Sequence, residues 1–155
     1  MSHSTKDAPS CPTPDACTDF LRTAFAEHGA AGVSPPDVLH TEPGLARLFW
    51  PLGPAQMRPG GMVSGPTQMH MADTAAYIAV FTHVGIRPMA VTSSLSIDFL
   101  RGARSGTLHA TARTAKAGRS LVVVNVEMRT EPDGPVASQA TVTYSLSRPE
   151  PGDRS

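Results

Sequence analysis

A chain of 155 residues has the length of one domain and can bury a single hydrophobic core. Thirteen Lys and Arg balance thirteen Asp and Glu, so the chain offers no basic footprint for nucleic acid. It has no apolar run of about 18 residues and no charged start leading into an apolar stretch, so neither a membrane-spanning helix nor a signal peptide is expected.

Residues 1–14 are polar and proline-rich (Ser4, Thr5, Lys6, Asp7, Pro9, Pro12, Pro14) and read as a disordered tail. The folded domain is expected over 15–147, with a loose tail at 148–155. Cys11 and Cys17 are close enough in sequence for a local disulfide, but free thiols in an intracellular protein are the expected state. Asp15 or Thr18 is placed to cap a short amphipathic helix carrying Phe20, Leu21, Ala24 and Phe25, stopped near Gly29. Such a helix would cover one end of the core. Beyond Pro35 and Pro36, residues 38–40 and 45–52 read as two strands. The second carries Phe49 and Trp50 and is ended by Pro51 and Pro54.

The run Gly60-Gly61-Met62-Val63-Ser64-Gly65-Pro66 reads as a tight turn feeding one long helix that continues to Val84. Pro66 suits the first helical position, with Gly65 or Ser64 as the cap. Ala72, Ala75, Ala76 and Ala79 favour the helix and let a sheet approach closely. At 1.5 Å per residue the helix would be roughly 28 Å long, and its nearly continuous apolar surface predicts burial. One charge interrupts it, Asp73, with Met69, Ala76 and Tyr77 one turn away. A carboxylate in an apolar helix is costly unless paired or used. On one reading Asp73 faces a solvent notch or caps a backbone group; on the other it works as a base.

After the helix the pattern changes to period two. Val91, Ser93, Leu95, Ile97 and Phe99 fall on one face of a strand, with Thr92, Ser94, Ser96 and Asp98 on the other. Leu108, Ala110 and Ala112 alternate with His109, Thr111 and Arg113 over 107–116. Gly118-Arg119 marks a hairpin turn, 121–129 is valine-rich, Pro132-Asp133-Gly134 marks a second turn, and 136–146 alternates again with Tyr144 near its end. Four long strands joined mostly by short turns predict an antiparallel meander, and the long helix is the cover available for its apolar face. The expected class is α+β, a curved antiparallel sheet wrapped around one central helix. Long edge strands invite pairing between subunits. The six histidines form no His-x-His or His-x-x-x-His pair, and there is no cysteine cluster, so no metal is expected.

Arg58-Pro59-Gly60-Gly61-Met62-Val63-Ser64-Gly65-Pro66, with Asp73 nine positions after Ser64, follows a turn-and-helix pattern Asn-x-x-Gly-x-x-His-Gly-Gly plus a distant acid. The strand 91–100, then Gly106-Thr107-Leu108 and Gly118-Arg119-Ser120, follow in matching order. Over about 45–146 the chain resembles the hotdog-fold acyl-CoA thioesterase superfamily, specifically its PaaI-like branch. The resemblance implies the hotdog fold and hydrolysis of an acyl-CoA to free acid and CoA without metal or cofactor. It implies a homodimer assembling to a homotetramer, a cytoplasmic location, and an active site built across the dimer interface.

By position, Asp73 takes the family's catalytic carboxylate, as general base on water or as nucleophile. The Gly65 backbone N–H takes the oxyanion-donor role, and Thr92 the place of a hydroxyl that helps the water. The physics of a helix N-terminus suits a developing oxyanion. Arg58, Ser64 and Pro66 stand where the family has Asn, His and Gly. Arg58 can act as a donor, bind a carboxylate on the acyl group, or pair with Asp73; Ser64 can donate a hydrogen bond or cap the helix. Met69, with Phe81, Phe49 and Trp50, is a candidate acyl-pocket residue. Gly118 and Arg119, with Lys116, Arg101 and Arg104, are candidates for the CoA phosphates. Two other readings compete: a non-catalytic acyl-CoA or acyl-carrier binder, favoured by Arg58 and Ser64, and a dehydratase of the same fold, which would want a His in the turn.

Overall fold

The computed structural model describes residues 10–146. Helix α1 (Pro14–His28) is followed by strands β1 (Asp37–Glu42) and β2 (Leu45–Pro51). A short hairpin, β3 (Met57–Arg58) and β4 (Met62–Val63), leads into α2 (Gly65–Val84). The chain then forms β5 (Val91–Phe99), β6 (Thr107–Ala117), β7 (Leu121–Arg129) and β8 (Ser138–Ser145). Six strands make one antiparallel sheet in the order β1-β2-β6-β7-β8-β5, and α2 lies across its inner face.

Residue type explains the packing. Ala72, Ala75, Ala76 and Ala79 are fully buried, so no long side chain holds the sheet away from the helix. The sheet answers with Val122, Val124, Val126 and Met128 of β7, Val142 and Tyr144 of β8, and Leu48 and Trp50 of β2, all buried. Each large apolar side chain removed from water contributes about 1.5–3 kcal/mol. The Trp50 indole N–H donates to the Ser34 carbonyl at 2.7 Å, so its burial leaves no donor unpaired.

Helix α1 begins at Pro14, capped by the Thr13 side chain, and not at a cap on Asp15 or Thr18. Thr18 is buried instead, and its hydroxyl accepts from the Val38 N–H at 3.0 Å, tying α1 to β1. Phe20 meets Tyr77 and Phe81 edge-on, so α1 covers one flank of α2. Cys11 and Cys17 are both free thiols, and burial pushes the Cys17 thiol up to about 11. Residues 1–9 and 147–155, most of the two expected tails, lie outside the described residues.

Two expectations about the sheet are also corrected. The last four strands are not a simple meander: β5 pairs with β8 and forms one edge, while β6 pairs with β2 and β7. The connection at 100–106 is long enough to carry the chain across the sheet, where a tight turn would have forced β5 against β6. It is pinned on the way, because the Val63 N–H donates to the Ala103 carbonyl and Met62 bridges Arg104. The face assignment of β5 also changes. A bulge at Ser93, between Thr92 and Ser94, shifts the register, so Thr92 shares the inner face with Leu95, Ile97 and Phe99 while Val91 faces outward.

Candidate active site

The N-terminus of α2 is built by the hairpin before it. Gly60 and Gly61 have φ of +88° and +71°, a conformation that costs other residues a steric penalty and glycine none. The turn brings Ser64 to the N-cap, where its Oγ accepts from the Thr67 N–H at 3.3 Å. The Thr67 hydroxyl donates to the Gln56 carbonyl at 2.8 Å, so the 2.7 Å contact between the two hydroxyls uses the Ser64 proton. The Ser64 hydroxyl is therefore committed to the cap as donor and acceptor. Gly65 is the first residue of the helix and Pro66 the second. As the first residue, Gly65 has an N–H with no partner inside the helix.

Two turns further on, Asp73 is half-buried on the face of α2 that also carries Met69, Tyr77 and His70. Its Oδ1 accepts two hydroxyl hydrogen bonds: from Thr92 of β5 at 2.6 Å and from Tyr144 of β8 at 2.8 Å. The Tyr144 Oη also lies 3.0 Å from the Asp73 carbonyl oxygen. Thr92 and Tyr144 are direct cross-strand partners, so one row of the sheet presents both donors. Burial, and after it the charge of Asp73, hold the Tyr144 phenol well above the usual tyrosine range, so it stays a donor. Tyr144 is 3% exposed and stacks on Tyr77 with ring centroids 5.4 Å apart.

The other candidates are spread more widely. Met69 is 42% exposed, one helical turn before Asp73. Arg58 is exposed on β3, and among the described residues no ion pair joins it to Asp73. Gly118 and Arg119 turn the β6–β7 hairpin, and the Gly118 N–H donates to the Leu121 carbonyl at 2.8 Å. That turn lies next to the row holding Thr92 and Tyr144, since Tyr144 pairs with Val122 and Val122 with Ala117. Two to three strand spacings separate it from β5, roughly 10–14 Å. Gly65 precedes Asp73 by eight residues, a rise of roughly 12 Å along the helix axis. One thioester carbonyl must lie within about 3 Å of both an oxyanion donor and the attacking group. A single chain does not bring Gly65 and Asp73 together on that scale.

Tyr144 and His70 are the additions that sequence reasoning did not make. His70 stacks flat on Phe25 and meets Trp50 edge-on. Desolvation there lowers its pKa, against an opposing pull from Asp73. The signal for Tyr144 was its place after Ala140 and Val142 on the inner alternation of β8, which aims it at the helix. Among the described residues, no group of three or more His, Cys, Asp or Glu could hold a metal ion.

Residues 60–137, half of the chain, match the thioesterase superfamily model, and the chain belongs to that superfamily. A candidate thioesterase from a Silicibacter species is 29% identical, with 92% of this chain and 97% of that one covered and a TM-score of 0.77. Zebrafish thioesterase superfamily member 2 is 22% identical, with 88% and 99% covered and a TM-score of 0.77. A candidate thioesterase from Ralstonia eutropha related to phenylacetic acid degradation is 22% identical, with 81% and 99% covered and a TM-score of 0.65. No curated protein matches the chain by sequence. The architecture, one long helix against a six-stranded antiparallel sheet, is the hotdog fold.

Proposed function

We propose that this protein hydrolyses an acyl-CoA thioester to the free acid and CoA, with Asp73 as the catalytic carboxylate, and that it falls in the PaaI-like branch. The observation that carries the reading is the single carboxylate on the open stripe of a buried helix, held by two hydroxyl donors. As a base, Asp73 takes a proton from water while the water oxygen bonds to the thioester carbonyl carbon. The carbonyl π pair moves onto oxygen, toward the Gly65 N–H at a helix N-terminus. Collapse breaks the C–S bond, and the thiolate recovers the proton. As a nucleophile, Asp73 forms the bond to the carbonyl carbon itself, the C–S bond breaks as the CoA thiolate leaves, and water hydrolyses the resulting anhydride to the free acid and the restored carboxylate.

The 12 Å rise between Gly65 and Asp73 calls for a second copy of the chain, whose Gly65 turn would meet this Asp73. Strand β5 is the natural seam. It is a sheet edge, and Val91, Phe99 and Leu100 are 53%, 51% and 52% exposed. The working unit on this reading is a homodimer, with a homotetramer as its assembly and the cytoplasm as its place. Among the described residues no helix is long and apolar enough to cross a membrane. Arg119, across the sheet from Thr92, is the candidate for the CoA phosphates, and Met69 for the acyl wall.

The alternative is a non-catalytic acyl-CoA or acyl-carrier binder. It draws support from Ser64, whose hydroxyl is spent on the cap where the family has a histidine. Free-thiol release from short, long and aromatic acyl-CoAs, run beside Asp73→Ala, separates the two. Turnover of some member that the variant loses, by a factor of about 10²–10⁴, is the expected result. Thermal stabilisation by CoA with no turnover above the variant would establish the binder.

A further inference from the structure

The two oxygens of Asp73 are not equivalent. Both hydroxyl donors fall on Oδ1, and no described residue hydrogen-bonds Oδ2. Thr92 sits on an exposed edge strand, but Tyr144 does not. Its ring is buried against Tyr77, with Phe20 of α1 edge-on to Tyr77 at 5.9 Å, and the Tyr77 hydroxyl donates to the Pro88 carbonyl at 2.6 Å. The phenol oxygen is thus fixed by packing from α1, α2 and the sheet, and it reaches the carboxylate from below.

We propose that Tyr144 is a positioning residue for thioester hydrolysis: it anchors Asp73 through Oδ1 and leaves Oδ2 as the oxygen that reacts. The inference rests on the reading of Asp73 as the catalytic carboxylate. It follows from how a carboxylate is used. A proton taken from water is accepted on Oδ2, and Oδ1 then becomes the carbonyl oxygen of the acid. A carbonyl oxygen still accepts both hydroxyl hydrogen bonds, so neither donor has to reorient as the proton arrives and leaves. Direct attack by Oδ2 on the thioester carbon, with the C–S bond breaking and the CoA thiolate leaving, gives the same outcome, with Oδ1 the carbonyl oxygen of the anhydride. A carboxylate held only by the exposed Thr92 hydroxyl would sample other rotamers, and misplacement of about 1 Å can cost about a hundredfold in rate.

The test uses the full chain and the best acyl-CoA of the panel. Tyr144→Phe keeps the ring and its stack on Tyr77 and removes only the hydroxyl. The expected result is a kcat lower by about 10- to 100-fold with KM changed less than about threefold. In an Asp73→Asn background the same change should have no further effect on the residual rate, because the group it positions is gone. A purely structural tyrosine would lower both backgrounds alike. Unchanged kcat in Tyr144→Phe, with Asp73→Asn inactive, would overturn the inference and leave the thioesterase reading intact. Full activity of Asp73→Asn would instead remove that reading. If Tyr144→Phe does not fold, replacement by 3,5-difluorotyrosine keeps ring and hydroxyl and acidifies the phenol. Activity should then fall at alkaline pH as the phenol loses its proton, and an alkaline profile like that of the wild type would count against the proposal.

Discussion

Thr92 reaches Asp73 because of one extra residue. Strict alternation along β5 would put Thr92 on the outer face with Ser94 and Ser96, and the bulge at Ser93 returns it to the inner face beside Tyr144. A one-residue slip flips a side chain across the sheet, so the bulge decides whether the carboxylate has one hydroxyl partner or two. Thr92→Ser preserves the donor and is expected to keep kcat/KM within about threefold. Thr92→Val preserves the shape and loses the donor, and should lower kcat/KM about tenfold or more, since hydrogen bonds to charged groups are worth about 1.5–3 kcal/mol. Thiol release from the same acyl-CoA reads both, and equal rates would show that the 2.6 Å contact has no part in turnover. Asp73 was legible in the sequence because a lone charge inside an apolar helix stands out. The face of Thr92 was not, because nothing in Val91-Thr92-Ser93-Ser94 marks a bulge. Tyr144 was invisible as a partner: it is 71 positions from Asp73, and only the folded sheet brings them together.

At the scale of elements, the periodicities found the pieces and not their order. The helix 65–84 and, apart from the bulged start of β5, the strands from 91 to 145 follow the apolar pattern closely, since a period of 3.6 or 2 is set by which side chains must leave water. Strand order depends on where a seven-residue connection crosses, and 100–106 contains no periodic residues from which to read it. The crossing has a structural consequence beside the candidate site. By taking β5 away from β6 it leaves β5 as a free edge beside the Thr92–Tyr144 row. Exposed edges of this length template pairing with another chain. Self-pairing in antiparallel fashion would bring the middle of β5 opposite the middle of its copy, so like charges placed there repel. Light scattering is therefore expected to find the chain at twice its own mass or a multiple of it. The double variant Ser94→Lys/Ser96→Lys, at two exposed positions, should weaken that association at least tenfold without unfolding the monomer. A wild-type chain that stays monomeric at micromolar concentration would remove the shared active site.

For the molecule as a whole, equal numbers of acidic and basic residues leave little net-charge repulsion near neutral pH, so a few desolvated groups shape how stability changes with pH. Burial, helped by Asp73, raises the folded pKa of Tyr144 and of Tyr77 above the ordinary value of 10.0. The folded state then holds these protons where the unfolded chain releases them, so their contribution is whole below 10.0 and is lost as the pH climbs toward the folded value. His70 and His109 work in the opposite sense. Desolvation lowers both below 6.5, so the unfolded chain binds protons first, and their contribution is present above 6.5 and lost as the pH falls. Denaturant unfolding should therefore find a plateau between about 6.5 and 10, with decline on both sides. The alkaline decline is the sharper test of the candidate site's architecture. Tyr144 is the most deeply buried of the phenols and the one bonded to the carboxylate, so Tyr144→Phe should flatten the slope between pH 10 and 11 relative to wild type, while leaving the acid side unchanged. An identical alkaline slope in the two proteins would mean that the phenol ionises in the folded state as readily as in the unfolded chain. That would contradict a buried hydroxyl held against Asp73, and with it the account of how the carboxylate is kept in place.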